Sequence, residues 1–79
     1  MDKIIIFGRV YSFHSQKTNQ DYYKIDYLTE NGESCSDFID QSSYFKIKSK
    51  NIDTGALVTA RLELNQYNRG IVVDCISDQ

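Results

Sequence analysis

Short runs rich in β-branched and aromatic residues, many of which alternate between apolar and polar positions, fill most of this chain. Alternation with period two is typical of a β-strand that buries one of its faces. Five segments follow this pattern, at residues 3–15, 22–29, 34–39, 56–64 and 71–76. The sequence therefore predicts five strands, whose side chains suit a pleated surface.

The segments between these runs are polar and contain turn-forming residues. Residues 30–33 include an Asn-Gly pair, the best short-range signal of a tight hairpin turn. Residues 16–21 predict a polar loop, and residues 65–70 predict a turn. Gly8 interrupts the first predicted strand, and a glycine inside a strand usually marks a β-bulge or a sharp bend.

The long connector at residues 40–53 fits two structures. Ser42 or Ser43 is suited to cap a short helix. Residues 45–50 alternate with period two, which favours an extended edge segment in which lysines prevent aggregation. We expect an irregular connector that contains one turn of helix.

Five strands, a first strand bent at a glycine and a longer connector between the third and fourth strands are the layout of an OB-like barrel. We therefore predict an all-β fold, a small five-stranded OB-like barrel formed by residues 1–79 as a single domain. An SH3-like barrel is the main structural alternative. A chain of 79 residues buries only about 60% of its unfolded surface, and such domains often gain stability by dimerisation.

Alternation also assigns side chains to the two faces of each strand. We expect the register of the first strand to change at Gly8, so that Val10 faces inward beyond it. Phe7 and Tyr27 are expected to pack in the core, as aromatic residues commonly do. The inward rows of the last two strands are predicted to be Ala56, Val58, Ala60, Leu62 and Leu64, followed by Ile71, Val73 and Cys75.

The predicted outer surface mixes cations with aromatic rings. Aromatic residues make up 13% of the chain although it has no tryptophan. Rings stack on unpaired bases, and cations neutralise phosphates. The strands are expected to contribute Arg9, Tyr11, Phe13, Tyr22, Lys24, Phe38 and Arg61 to this surface, and the loops Lys17, Tyr67 and Arg69. A protein interface is the competing interpretation, because tyrosine and arginine are also enriched at binding hot spots.

Composition argues against several other functions. The formal net charge of −2 does not favour a nonspecific polyanion binder, although local charge placement governs binding. His14 is the sole histidine, and no CxxC motif is present, so we expect no metal site and no cofactor. Acidic residues are scattered without a partner motif, and the chain is predicted not to be an enzyme. Neither a signal peptide nor a membrane span is expected, and the two cysteines fit a reducing, intracellular compartment.

Two parts of the chain resemble known single-stranded DNA-binding proteins. Residues 8–10 (Gly-Arg-Val), the polar loop 16–21 and the aromatic residues 22–27 resemble the opening hairpin of OB-fold members. Residues 54–62 and 68–74 resemble the closing hairpin of the small single-stranded DNA-binding proteins of filamentous bacteriophages. The resemblance implies a cytoplasmic homodimer that coats single strands during replication of a phage or plasmid in a bacterial host.

The same resemblance implies particular roles for six residues. Stacking on bases would fall to Tyr22, Tyr27 and Tyr67, and phosphate contacts to Arg9, Lys24 and Arg69. A replication protein is a further expected partner. Two other functions stay open from the sequence: a small protein-interaction module or inhibitor encoded by a phage or mobile element, and an RNA-binding barrel, for which the 2′-hydroxyl would be read.

Overall fold

The computed structural model describes residues 1–77 and consists of one antiparallel sheet and one helix. All five predicted strands are confirmed, and their ends lie within two residues of the predicted ones. None of the helical structure in residues 1–77 is long and apolar enough to cross a membrane. The elements are β1 (Asp2–Ser15), β2 (Gln20–Thr29), β3 (Ser34–Ile39), α1 (Gln41–Lys48), β4 (Leu57–Leu64) and β5 (Gly70–Ser77).

The sheet order is β3-β2-β1-β4-β5, with the long strand β1 at its centre. The first part of β1 pairs with β4 and its later part with β2, so the sheet curls around one core. The outer strands β3 and β5 approach each other but form no ladder within residues 1–77. The predicted all-β, five-stranded barrel-like fold is confirmed, with a seam between β3 and β5 that stays open.

A β-bulge at Gly8 changes the register of β1. Phe7 is the partner of Tyr27 on β2, but the next paired residue, Asp26, is opposite Arg9. Ile5 and Phe7 are buried before the bulge, and Val10 is buried after it, as predicted. A side chain at Gly8 is excluded because a Cβ there would lie 2.5 Å from the backbone oxygen of Asp26.

A second bulge corrects the predicted inward rows of β4 and β5. Arg61 is the partner of Asp74, whereas Leu62 is the partner of Val72, which leaves Val73 as the extra residue. Val72 and Cys75 are therefore fully buried, and Val73 is not. On β4 the prediction holds for the buried Val58 and Ala60, but Leu64 lies beyond the bulge and is 60% exposed. Ala56 and Leu62, together with Ile71 on β5, are partly buried against the core.

The connector between β3 and β4 contains a helix of eight residues, twice the single turn that was expected. Asp40 caps this helix, because its Oδ1 accepts a hydrogen bond of 2.8 Å from the backbone N–H of Ser43. The hydrogen bonds from Ser43 and Ser42 lower the pKa of Asp40 despite its partial burial. Tyr44 and Ile47 are buried against the sheet, so the extended interpretation of residues 45–50 is wrong.

The hairpin between β2 and β3 confirms the predicted turn. The backbone N–H of Gly32 donates to the carbonyl of Thr29 at 2.9 Å, and Gly32 has a φ of +85°. Only Gly32, and not the asparagine before it, takes the left-handed conformation, so the turn is of the three-residue kind with a glycine bulge.

We predict that Gly8→Ala destabilises the fold by about 1–3 kcal/mol, because the new methyl group forces the β1 and β2 backbones apart. Urea denaturation followed by circular dichroism measures the change in unfolding free energy. Gly70→Ala is the matched control, since its Cβ would meet only a Leu62 methyl group at 3.7 Å. Equal stability of the two variants would contradict the proposed role of Gly8.

Candidate nucleic-acid interface

Four aromatic rings form a continuous cluster on the outer face of β1, β2 and β3. Phe13 and Tyr22 are cross-strand partners whose rings stack with centroids 5.7 Å apart and planes 27° apart. Phe38 extends the cluster onto β3, 6.0 Å from the Tyr22 ring and 6.4 Å from the Phe13 ring. Tyr11 extends it along β1, 6.4 Å from Phe13. We call these four residues the aromatic cluster.

The strand register explains why these rings meet. Because Val10 faces inward after the Gly8 bulge, Tyr11 and Phe13 must face outward. Phe38 lies 59% exposed beside its strand partner Lys24, so its ring surface is open to solvent. Exposed aromatic rings on a rigid sheet retain faces on which another planar group can stack.

Two cations lie against the aromatic cluster. The Arg9 guanidinium carbon is 4.2 Å from the Tyr11 ring centroid, and Lys24 Nζ is 4.9 Å from the Phe38 ring centroid. Arg9 also donates to Asp26 Oδ2 at 3.1 Å while its side chain stays largely exposed. Partial burial would raise the pKa of Asp26, but its hydrogen bonds from Ser36 and Arg9 and the nearby positive charges lower it overall.

A cleft of about 790 Å³ lies between β3 and the turn at residues 65–70. Phe38 lines one side of this cleft, and Tyr67 and Arg69 line the other. Asn65 shapes the turn, since its Oδ1 accepts hydrogen bonds from the backbone N–H groups of Tyr67 and Arg69, at 2.9 and 3.0 Å. The cleft therefore places the two predicted turn residues opposite the edge of the aromatic cluster.

Two other predicted site residues, Lys17 and Arg61, lie in a loop and on β4. Lys17 is exposed in the loop between β1 and β2. Arg61 is the strand partner of Asp2, at the start of β1, whereas Phe13 lies near its end. The structure therefore does not bring Arg61 to the aromatic cluster.

Tyr27 is a core residue and is removed from the set of stacking candidates. Its side chain is 4% exposed, and its hydroxyl donates to Asp37 Oδ2 at 2.7 Å and accepts from Lys3 Nζ at 2.8 Å. Burial and the hydrogen bond to Asp37 raise the pKa of Tyr27. The expectation that its ring packs in the core is confirmed.

A second group of rings, which the sequence did not indicate, surrounds the start of α1. Tyr44 packs 4.9 Å from Tyr23 and 5.1 Å from Phe45, and the Phe45 ring is largely exposed. The sequence did not indicate this group, because the position of the helix within residues 40–53 was not known. The side of the helix on which each ring lies could therefore not be assigned. Lys48 lies over the Tyr44 ring, and Lys50 donates to Asp74 and to the Cys75 carbonyl. Because these lysines lie at and just beyond the end of α1, they do not protect an edge strand.

The single histidine and the two cysteines belong to no metal-binding group within residues 1–77. Within residues 1–77, no group of histidine, cysteine, aspartate and glutamate side chains has an arrangement that suits a metal ion. Cys75 is buried, and desolvation raises its pKa to about 11, while Cys35 is a half-buried free thiol. His14 Nδ1 lies 2.9 Å from Asp21 Oδ1, and its Nε2 lies 3.2 Å from Asn19 Oδ1.

Comparison with protein-family models, with curated proteins and with solved structures finds no match for this chain. The function is therefore inferred from the geometry and chemistry of its own surface.

We predict that the pKa of His14 lies above 6.5 in the folded protein, chiefly because of the hydrogen bond to Asp21. The protonated ring stabilises the loop fully below pH 6.5, and this contribution is lost as the pH rises through the raised value. An NMR titration of the single histidine measures the pKa directly. Asp21→Asn should lower it, and an unchanged value in that variant would contradict the assignment.

Proposed function

We propose that this protein binds single-stranded DNA without strong sequence preference and is not an enzyme. The observation that supports this proposal is the aromatic cluster, with Phe13 and Phe38 exposed, flanked by Arg9 and Lys24 on one sheet face. Bases stack on the rings, and the cations contact the phosphates between them. Each base stacked on an aromatic side chain contributes roughly 1–3 kcal/mol, whatever the base, because every base has a π-face.

The aromatic cluster favours unpaired over paired nucleic acid. In a duplex the base faces are covered by their neighbours, and only the base edges and the backbone are available in the grooves. A single strand can turn its bases onto Phe13, Tyr22 and Phe38, which lie side by side across three strands. Ring surface of this kind supplies affinity without reading the sequence.

The DNA path proposed here runs across the sheet face. It begins beside Lys17 in the loop between β1 and β2, crosses the aromatic cluster and ends in the cleft between Phe38 and the turn that carries Tyr67 and Arg69. The side chains of Lys17, Lys24 and Arg69 form no ion pair with an acidic residue of the described chain. These three cations are therefore available to phosphates although the chain is acidic overall.

The biological role follows from the same proposal. A sequence-tolerant binder of this size is suited to coating single strands, as do the small single-stranded DNA-binding proteins of filamentous bacteriophages that the chain resembles. We infer a role in the replication of a phage or plasmid in the bacterial cytoplasm, with a replication protein as a further partner.

A titration of the intrinsic tyrosine fluorescence with oligo-dT tests DNA binding, and no tryptophan obscures the signal. We expect quenching, because Tyr11 and Tyr22 stack on bases. With three or four cations on phosphates, the affinity should fall roughly 15- to 50-fold between about 50 mM and about 200 mM salt. Unchanged emission at both salt concentrations would refute the proposal. The aromatic cluster would then be interpreted as a binding surface for a protein partner.

Substitutions within the aromatic cluster test the proposed stacking. Phe38→Ala and Tyr22→Ala should each weaken binding of a fluorescently labelled oligo-dT by about 5- to 100-fold, measured by anisotropy. Leu64→Ala is the control, since Leu64 is as exposed as Phe38 but lies outside the aromatic cluster. If all three variants bind like the wild type, the aromatic cluster is not the binding surface.

Lys24→Gln tests the phosphate contact separately. It should reduce the slope of affinity against salt by about 0.7, the contribution of one phosphate in a single strand, while base-independent stacking continues.

An RNA oligonucleotide of equal length is the competitor that separates DNA from RNA binding. Tighter binding of RNA would indicate that the 2′-hydroxyl is recognised.

A further inference from the structure

The cleft between β3 and the turn at its far side contains two polar side chains that contact with phosphates does not explain. Besides Phe38, Tyr67 and Arg69, it is lined by Asp37 and Asn65. A carboxylate repels the phosphates of a strand, so the attraction that suits Arg69 to this cleft does not suit Asp37 to it. An acceptor and an amide beside two rings are instead the groups that recognise the edge of a base.

The Asp37 carboxylate is held in one orientation from the core. Its Oδ2 accepts a hydrogen bond of 2.7 Å from the hydroxyl of Tyr27, and that hydroxyl accepts in turn from Lys3 Nζ at 2.8 Å. Tyr27 is only 4% exposed, so its hydroxyl is a fixed donor. Asp37 Oδ1 receives no hydrogen bond from any residue in the range 1–77. An ionised carboxylate only accepts, so Asp37 presents acceptors to the cleft.

The Asn65 amide is held in the opposite sense. Its Oδ1 accepts from the backbone N–H groups of Tyr67 and Arg69, at 2.9 and 3.0 Å. The backbone of Asn65 also donates to the carbonyl of Arg69 at 2.9 Å, which closes the turn. Because Oδ1 is the end of the amide that meets the backbone, Nδ2 is the end that can donate to a ligand.

Among the four bases, guanine fits this pair of groups best. The Watson–Crick edge of an unpaired guanine carries the O6 acceptor beside two adjacent donors, N1–H and the N2 amino group. A carboxylate can accept from both donors, as it does from the two N–H groups of an arginine. The amide nitrogen of Asn65 can donate to O6. Thymine offers one donor between two carbonyls, and adenine and cytosine each offer one amino group beside an acceptor, so each would bring an acceptor towards Asp37.

The size and the rings of the cleft suit a base as well. Its volume of about 790 Å³ lies within the range of roughly 300–1,000 Å³ that is usual for small-molecule sites. Phe38 and Tyr67 are 59% and 72% exposed, so both have ring surface available to a base. Arg69, which lines the same cleft, can contact the phosphate attached to that base.

We propose that this cleft binds a single guanine base, with Asp37 accepting from N1–H and the N2 amino group and Asn65 donating to O6. Where the guanine belongs to a DNA strand, this inference rests on the proposed function; a free guanine nucleotide offers the same chemistry. The aromatic cluster stays tolerant of sequence. A guanine in the cleft would fix the position of the protein on the strand.

Competition against a fluorescently labelled oligo-dT, followed by anisotropy, tests the preference. The competitors are unlabelled oligo-dT and the same oligonucleotide with one central guanine, hypoxanthine, adenine or cytosine. The guanine competitor should bind about 5- to 150-fold tighter than oligo-dT, the range for a bidentate contact between a side chain and a base. Hypoxanthine lacks the N2 amino group and should lie between the two.

Two substitutions in the cleft test the assigned roles. Asp37→Asn keeps an oxygen for the Tyr27 hydroxyl but places an N–H donor against the donors of guanine. Asn65→Asp keeps an acceptor for the turn backbone and replaces the donor that faces O6. Each should abolish the guanine preference while oligo-dT still binds. Asp53→Asn makes the same change of charge at an exposed residue outside the cleft and should keep the preference. Circular dichroism verifies that each variant folds.

Free guanosine monophosphate tests the cleft without a DNA strand. Amide proton–nitrogen correlation spectra are recorded with millimolar guanosine monophosphate and, as the control, thymidine monophosphate. Only the guanine nucleotide should shift the amide signals of Phe38, Tyr67 and Arg69, and Asp37→Asn should remove these shifts.

The combined results separate the two sources of the base. A guanine preference that both cleft variants abolish assigns the cleft to a base within a strand. Shifts by guanosine monophosphate without a preference among the oligonucleotides assign it to a free nucleotide. Equal binding of all oligonucleotides without such shifts would overturn the proposal, as would a preference that survives Asp37→Asn. If oligo-dT does not bind at all, the proposed DNA binding fails, and the spectra alone decide whether the cleft binds guanine.

Discussion

The approach of the β1 backbone to Asp26 at Gly8 determines where every later side chain of β1 points. A Cβ at this position would lie 2.5 Å from a carbonyl oxygen, so the bulge requires glycine. Because the side-chain period of a strand is two, one extra residue exchanges its two faces. Ile5 and Phe7 before the bulge and Val10 after it can therefore all pack into one core.

The same bulge gives the outer face of β1 two halves with different chemistry. Ile4 and Ile6 belong to an apolar surface that continues onto β2, β4 and β5, whereas Arg9, Tyr11 and Phe13 belong to a cationic and aromatic one. The part of β1 that carries the apolar surface pairs mainly with β4, and the part that carries the cationic and aromatic surface pairs only with β2. The two surfaces therefore also diverge as the sheet curls. One central strand thus supports the core and two distinct exteriors.

Much of this arrangement was predictable from local patterns, and the rest depended on long-range register. Alternation placed Tyr11, Phe13 and Tyr22 correctly on the outer face, because each strand there mixes apolar with polar residues. The run 4–7 is apolar throughout, so its pattern could not show which side chains lie outside. The bulge at Val73 carries no glycine or other local signal, and it moved Val72 into the core. Arg61 is exposed, as predicted, but its position beside Asp2 and away from Phe13 could not be predicted, because only strand pairing shows which part of β1 it adjoins.

The open seam between β3 and β5 has a topological consequence. Since these strands share no ladder within residues 1–77, the cleft beside Phe38 can widen or narrow without breaking a backbone hydrogen bond between them. A polymer reaches such a cleft from the side and needs no free end to thread through it. A closed circular strand is therefore as accessible to this surface as a linear one.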